Sequence, residues 1–370
     1  MKIAFNGILL RNQNTGVENY IQCLLHEFDQ SSDILNIDVK VFLKSELYGR
    51  DFLNLEKIYA QPFANYRAFR IAWEHFKLPQ LCKDAELLHA PGYIMPINCT
   101  QKVIITVHDT IALTHPQLCS RMNAMYYRTF LPKSIMAADK IIVPSEFVKK
   151  TILSLFDIDY RKINVVEHGV KEIFFQEPTV QSLKTIKAKY NLPDEYILFV
   201  GTHEPKKNIR AVLSVYERLL NKYSKLGLVI VGQRGWRSQD TRLLLEKMKV
   251  KNTNLIETGF VPDEELVSIY KLAKVFLFPS LVEGFGLPLL EAMATGTPVV
   301  STNVAAIPQV VGNCALLAKP QDMESLYKEA KKVLENKELY TTLAEKGKQH
   351  SKKFSWQKTA RNTVSVYKSI

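Results

Sequence analysis

Residues Val275 to Thr302, VFLFPSLVEGFGLPLLEAMATGTPVVST, constrain the fold more than any other stretch. The apolar run Val275 to Phe278 reads as a buried strand. A glycine-rich loop follows, from Ser280 to Gly286. Pro288 suits the opening of a helix, since a residue there needs no N–H. Gly296 sits just past the helix end, Pro298 stops it, and Val299 and Val300 begin another strand. Strand, helix and strand make a βαβ crossover. Its glycine loop lies at the carboxyl end of the first strand, where open α/β sheets bind ligands.

Two carboxylates mark this loop. Glu283 lies beside two glycines, and Glu291, eight positions on, is placed in the first turn of the helix. A glutamate in a first helical turn is favoured by the helix dipole alone, so Glu291 has a purely structural explanation. Glu283 has no comparable one. The backbone amides of Phe285, Gly286 and Leu287 precede the helix and can face an anion. An anion cradle flanked by two carboxylates suits a sugar joined to a diphosphate: amides for phosphate, carboxylates for hydroxyls.

The run E-G-F-G-L-P-x-x-E-A-M-A-x-G-x-P-V-V, residues 283–300, resembles the E-x7-E signature of the retaining GT-B glycosyltransferases of family 4. The resemblance implies an α/β protein of two Rossmann-like domains facing each other across a cleft. It implies that Glu283 approaches the donor hexose and that Glu291 holds the ribose hydroxyls. It covers nearly the whole chain, strongly from 196 to 310 and patchily before 100.

Bulk properties agree with a protein of two domains. The chain has 370 residues, 46% of them hydrophobic and 10% aromatic, with no apolar run long enough to span a membrane. The opening MKIAFNGILLRNQ turns polar too early for a secretory signal and reads as a first strand. Five scattered cysteines form no C-x-x-C pair, which argues against a zinc site or disulfide framework and for a reducing cytoplasm. Residues 1–180 carry 20 Lys+Arg against 19 Asp+Glu; residues 181–370 carry 29 against 18. The positive excess thus lies in the half with the anion cradle, where it can attract nucleic acid, anionic lipid or a charged nucleotide donor. The lysines of 328–353 alternate with glutamates and read as a solvated face.

The N-terminal half begins with the strand Ile3 to Phe5, a loop through Thr15 and Gly16, and a helix from about Glu18 to Phe28. By resemblance, Gly16 belongs to a glycine loop near the donor phosphates. Tyr66, Phe69, Trp73 and Phe76 form one helical stripe with Arg67, Arg70 and Lys77 elsewhere; the reading adopted is a core-facing helix, and a membrane-surface helix is the alternative. The strand Val103 to Val107 delivers His108 and Asp109 at its carboxyl end, and by resemblance His108 faces the donor sugar. Asp157-Ile158-Asp159 has the D-x-D form that holds a divalent cation in the other large glycosyltransferase fold. Here it sits in a helix-to-strand loop, so no metal is assigned.

The second half opens with the strand Tyr196 to Val200 and the turn Gly201-Thr202-His203-Glu204-Pro205-Lys206-Lys207. Paired lysines at a strand terminus suit a diphosphate. The family usually has arginine where Thr202 stands and lysine where Lys207 stands, so Lys206 is the candidate for the missing charge. Four segments are expected: an acceptor-binding domain over 1–175, a linker over 176–193, a donor-binding domain over 194–352, and a terminal helix over 353–370 that returns to the first domain.

The expected function is transfer of a hexose from a UDP- or GDP-sugar to a hydroxyl acceptor, with retention and without metal or other cofactor. Glu283 and His108 are the candidate catalytic residues; Gly16, Lys206, Lys207, Phe285, Gly286, Leu287 and Glu291 are the candidate donor contacts. By analogy with the family, the acceptor is a glycan or lipid-linked glycan of a bacterial surface polysaccharide. That places the protein in the cytoplasm, with weak peripheral contact at the inner face of the membrane. A GT-B epimerase acting on a nucleotide sugar is the nearest rival. A dinucleotide-dependent oxidoreductase is disfavoured because the first βα turn lacks G-x-G-x-x-G. A basic nucleic-acid-binding module is disfavoured because aromatics and lysines are not interleaved.

Overall fold

A computed structural model of the chain describes residues 1–11, 16–60, 66–236 and 239–370. Thr15 lies outside the described residues. The chain forms two compact units. The first comprises Met1–Thr114, Met122–Gly169 and Trp356–Ile370; the second comprises His115–Arg121 and Val170–Ser355.

The first unit is built on seven parallel strands: β1 Lys2–Asn6, β2 Asp38–Leu43, β3 Glu56–Tyr59, β4 Leu87–Ala90, β5 Lys102–Thr106, β6 Lys140–Val143 and β7 Ile163–Val165. Their order is β3-β2-β1-β4-β5-β6-β7. The second has six: β8 Tyr196–Val200, β9 Gly227–Val231, β10 Leu255–Gly259, β11 Val275–Phe278, β12 Val299–Thr302 and β13 Ala315–Ala318, in the order β10-β9-β8-β11-β12-β13. All pairings are parallel. Such sheets are covered by helices on both faces, which is why β8 (YILFV), β9 (GLVIV) and β11 (VFLF) are buried at every position.

The Leu287–Ala294 helix joins β11 to β12. Gly286 opens it at φ +104°, and a Cβ there would lie 2.8 Å from Leu289 Cδ1, so glycine is required on two counts. Gly296, at φ +78°, closes it with an N–H donated to Met293 O at 3.0 Å. The terminal Trp356–Tyr367 helix packs in the first unit: Thr359 Oγ1 donates to Glu167 O at 2.8 Å, and Tyr367 is fully buried.

Three local expectations need correction. The first helix runs Val17–Leu35, well past Phe28. The stretch between β2 and Ala60, which carries no regular pattern in the sequence, contains the edge strand β3, only partly covered and therefore weakly patterned. The stripe from Tyr66 to Phe76 is not core-facing. The helix there, Arg67–Ala72, passes into a wider turn over Trp73–Lys77, and the register shift leaves Trp73 buried while Tyr66, Phe69 and Phe76 are exposed.

Candidate active site

In the second unit the chain winds outward from β8 through β9 to β10, and in the other direction from β11 through β12 to β13. The winding therefore reverses between β8 and β11, and a crevice opens at the carboxyl ends of those two strands. The loop leaving β8 tightens into a 3₁₀ turn, Pro205–Lys207, stopped by Asn208 in the left-handed conformation. Gly232, on the loop after β9, lets it sit close: a Cβ there would fall 2.2 Å from Gly201 O. Leu281 N–H donates to Lys206 O at 2.8 Å, tying the β8 loop to the β11 loop.

This tie brings the predicted charges together. Lys207 Nζ donates to Glu283 Oε1 at 2.6 Å and lies 4.6 Å from the centre of the Phe278 ring. Ser280 Oγ donates to the same carboxylate oxygen at 2.8 Å. Glu283 is buried and Lys207 is largely covered. Burial alone pushes the Glu283 carboxyl upward, but the ammonium groups of Lys207 and Lys206 and the two hydrogen bonds outweigh it and hold it below the usual range. Lys206 itself lies 3.8 Å from Glu204.

Glu291 sits in the second turn of its helix, not the first, because the helix begins at Leu287. The dipole explanation for it thereby loses its force. Tyr270 Oη donates to Glu291 Oε2 at 3.0 Å. Burial and the nearby Asp263 push the Glu291 carboxyl up to about 7, against the pull of the Tyr270 hydrogen bond, Lys171 and Lys207. Lys171 in turn donates to Asp263 at 2.6 Å. One loop-and-helix thus holds an ionised carboxylate and one that titrates near neutrality, a division of environment found where two acids have different tasks.

The candidate amide cradle, Phe285 to Leu287, ends where the helix begins. Pro288 has no N–H, and Leu289 N–H is donated to Gly286 O at 3.0 Å. Gly286 and Leu287 are the amides that open the helix. Phe285 is buried, its ring 6.0 Å from that of Phe354, so its side chain anchors the loop.

Gly16 and His108 lie in the first unit, apart from the other seven predicted residues. The reversal of winding there falls between β1 and β4. Gly16, at φ +54°, starts the first helix, its carbonyl accepting from Tyr20 N–H at 3.1 Å. The Tyr20 ring meets that of His108 at 4.7 Å. His108 Nε2 lies 3.0 Å from Pro91 O, an atom that only accepts, so Nε2 carries the proton. His108 Nδ1, 3.3 Å from His168 Nε2, is then the acceptor. Burial pushes the His108 imidazole down to about 4, although the Pro91 hydrogen bond and Asp109 pull the other way, and the ring is neutral at pH 7. Burial acts likewise on His168, with His108 adding to it. His89 joins the same buried layer, between Tyr367 Oη at 2.6 Å and Thr106 Oγ1 at 2.7 Å.

Ser280, Tyr270, Asp263, Lys171 and His168 were not singled out from the sequence. Ser280 had a signal, three residues before Glu283 in the same loop. The others are brought in by folding from distant positions and carry no spacing cue. Asp159, of the D-x-D string, spends its carboxylate on its neighbour: it accepts from Arg161 N–H at 2.9 Å and pairs with the Arg161 guanidinium at 2.6 Å.

Two Rossmann-like units, with acid–base pairs gathered at one switch point, define the GT-B class of α/β protein, and the solved structures agree. HepE of Anabaena, crystallised with UDP and glucose, superposes with a TM-score of 0.78 over 100% of both chains at 17% identity. WaaG, a glycosyltransferase involved in lipopolysaccharide biosynthesis, gives 0.75 over 98% of this chain and 99% of its own at 15% identity. In sequence, residues 182–350 match the family described as glycosyl transferases group 1, and residues 14–172 match glycosyltransferase family 4. The O-antigen chain mannosyltransferase B of Escherichia coli is 31% identical over 353 residues, covering 94% of this chain and 90% of that protein. The serotype-specific mannosyltransferase WbdA of Escherichia coli is 30% identical over 75% of this chain, which spans only 35% of WbdA's length. The chain belongs to the family 4 glycosyltransferases, with the GT-B fold.

Proposed function

We propose that the protein is a retaining hexosyltransferase that moves a sugar, with mannose favoured by its relatives, from a UDP- or GDP-sugar to a hydroxyl of a growing polysaccharide or lipid-linked glycan. The single observation that carries this reading is the part-buried Lys207–Glu283 pair at the β8/β11 switch point, 2.6 Å apart. When the glycosidic bond to the diphosphate breaks, negative charge grows on the leaving phosphate, and fixed cations aimed at it lower the barrier. Lys207 and Lys206 supply those cations, and the amides of Phe285, Gly286 and Leu287 add donors. Glu283, kept ionised, accepts a sugar hydroxyl and holds Lys207 in place; Glu291 accepts the ribose hydroxyls. The departing phosphate oxygen takes the proton of the attacking acceptor hydroxyl. By the family resemblance, Gly16 is a further candidate contact of the diphosphate. His108 is a neutral donor: to contact the sugar it exchanges its Nε2 hydrogen bond to Pro91 O for one to the substrate.

With lysines neutralising the diphosphate, no divalent cation is required. The acceptor sits at the inner face of the cell membrane. The test is turnover of UDP- and GDP-hexoses with a glycan acceptor, the anomeric configuration of the product being read by proton NMR. Retained configuration, unaffected by chelator, is expected. Inversion, or loss of activity in chelator, overturns the mechanism. Donor conversion without acceptor overturns the transferase reading in favour of an isomerase.

A further inference from the structure

We propose that Tyr270 is a positioning residue for Glu291: its phenol holds one carboxylate oxygen, so that the other is presented to the ribose hydroxyls of the donor nucleotide. The inference rests on the ribose role proposed for Glu291. Tyr270 lies on the Asp263–Leu272 helix, 21 positions before its partner.

Packing fixes where the Tyr270 hydroxyl can be. The side chain is completely buried, its ring 5.5 Å from that of Phe276 on β11 and 6.0 Å from that of Phe174. Its backbone carbonyl accepts from Thr297 Oγ1 at 2.7 Å, just past the helix that carries Glu291, which ties the two helices together. A phenol held this way is an oriented donor with one proton. Oη lies 3.0 Å from Glu291 Oε2 and 3.4 Å from Pro288 O, so the shorter contact takes the hydrogen.

The two carboxylate oxygens of Glu291 are consequently unequal. Oε2 is engaged by Tyr270, whereas Oε1 has no hydrogen-bond partner among the described residues, although Glu291 is only partly exposed. An acceptor in a largely covered site calls for a donor from solvent or ligand. Glu283 shows the same division, since Lys207 and Ser280 both donate to its Oε1. Each acid has one oxygen anchored by the protein and one left for substrate.

The charges around Glu291 make the tyrosine decisive. Asp263 and Tyr270 face it from the Asp263–Leu272 helix, Lys171 from the chain just before the 3₁₀ turn Glu172–Phe175, and Lys207 from the loop after β8. Glu172 on that turn is exposed. The Lys337–Ser351 helix meets the Glu291 helix through Gly347 against Met293, and its Lys348 is paired with Glu177. Burial and Asp263 favour the acid; Tyr270, Lys171 and Lys207 favour the carboxylate. A ribose hydroxyl is a donor, so the carboxylate is the form that accepts it. With the carboxyl near 7, loss of the one phenol is enough to tip Glu291 to the acid at neutral pH.

The test is calorimetric titration of UDP and GDP, and of their 2′,3′-dideoxy forms, into the wild type, Tyr270→Phe and Asp263→Asn between pH 6 and 9. At each pH the ratio of the two affinities isolates the ribose contact from ionisation of the diphosphate. In the wild type it should exceed about tenfold at pH 8 and fall as pH drops through 7. Tyr270→Phe should cut it about fivefold at pH 7, with recovery at pH 9, where the carboxylate forms again. Asp263→Asn removes the like charge and releases Lys171, so it should preserve the ratio to lower pH. In turnover, the change in Tyr270→Phe should fall on donor KM rather than on kcat.

An undiminished ratio in Tyr270→Phe, or a deficit equal at every pH, would overturn the proposal and leave the tyrosine a packing residue. Added to Glu291→Gln, Tyr270→Phe should lower the ratio no further; a further drop would overturn it too, because the tyrosine would then act other than through Glu291. A wild type that binds the ribo and dideoxy forms alike would remove the ribose role of Glu291 and the proposal with it. The transferase reading is separate, since it stands or falls on turnover.

Discussion

The two units place polar groups at their switch points in opposite ways. In the second, the β8/β11 loops and the residues gathered near them hold charge: Lys207 on Glu283 at 2.6 Å, Lys171 on Asp263 at 2.6 Å, and Glu291 close enough to feel both lysines. In the first, the layer behind β4 and β5 holds neutral groups: His89, His108 and His168 joined to a tyrosine, a threonine and a carbonyl oxygen, with burial suppressing protonation of each ring. The same parallel-sheet architecture thus yields one site built on ion pairs and one built on neutral histidines. Buried charges are costly unless paired, so a fold keeps them where an ionic ligand is to be met. The lesson is that fold sets where a site opens, and residue chemistry sets what it receives.

The sharpest way to break this contrast is Glu283→Gln. Turnover is expected to fall at least about tenfold, of order 1.4 kcal/mol in barrier, with circular dichroism unchanged; a wild-type rate would remove Glu283 from the mechanism. Next comes Lys207→Met, which leaves Glu283 buried without its cation. About 3 kcal/mol of unfolding free energy should be lost at pH 7. Because Lys207 depresses the Glu283 carboxyl, the pair stabilises above the ordinary glutamate value of 4.5 and loses that contribution as pH falls through the depressed value. The deficit of the variant should therefore shrink in acid, and a pH-independent deficit would mean that the pair matters only through packing.

The neutral layer predicts the opposite handle. His89 and His108 are pushed from 6.5 down to about 3 and about 4, so the unfolded chain binds their protons first. Stability should be whole above pH 6.5 and decline as pH falls toward 4, by about 1.4 kcal/mol per pH unit for each histidine. Denaturant midpoints at pH 7, 6 and 5 measure this, and His89→Asn should lower the slope by about one proton. An unchanged slope would make His89 no part of the acid response. The smallest effect concerns Glu291, raised to about 7. Its contribution is present below 4.5 and lost as pH rises through 7. Glu291→Gln, which keeps an acceptor for Tyr270, should flatten the fall in melting temperature between pH 5 and 8; an unaltered fall would show that Glu291 ionises freely.

Much of this was legible in the chain. The run of 275–302 announced a βαβ unit because a short apolar strand, a glycine loop and proline punctuation each admit few conformations. The two-unit α/β fold followed from repetition of that grammar. Glu283 was legible because a carboxylate just before two loop glycines has no evident local structural purpose. Its pairing with Lys207, 76 positions away, needs the switch point that no local pattern encodes. Tyr66, Phe69 and Phe76 misled for a physical reason: helical spacing fixes which side chains share a face, but not which way the face points. A wider turn at Trp73 then changed the register. His108 was placed at its strand end correctly, while its partners Pro91 and His168 come from other strands and were invisible.

The most direct measurement is calorimetric titration of UDP and GDP into the wild type, Lys207→Met and His108→Ala. One nucleoside diphosphate should bind the wild type, and Lys207→Met should weaken it by about 2 kcal/mol, roughly thirtyfold, as expected for a charge-assisted contact. His108→Ala should leave nucleotide affinity within about threefold, since the neutral layer meets no phosphate charge. Unchanged affinity in Lys207→Met, or a loss confined to His108→Ala, would contradict the assignment of the charged crevice to the diphosphate.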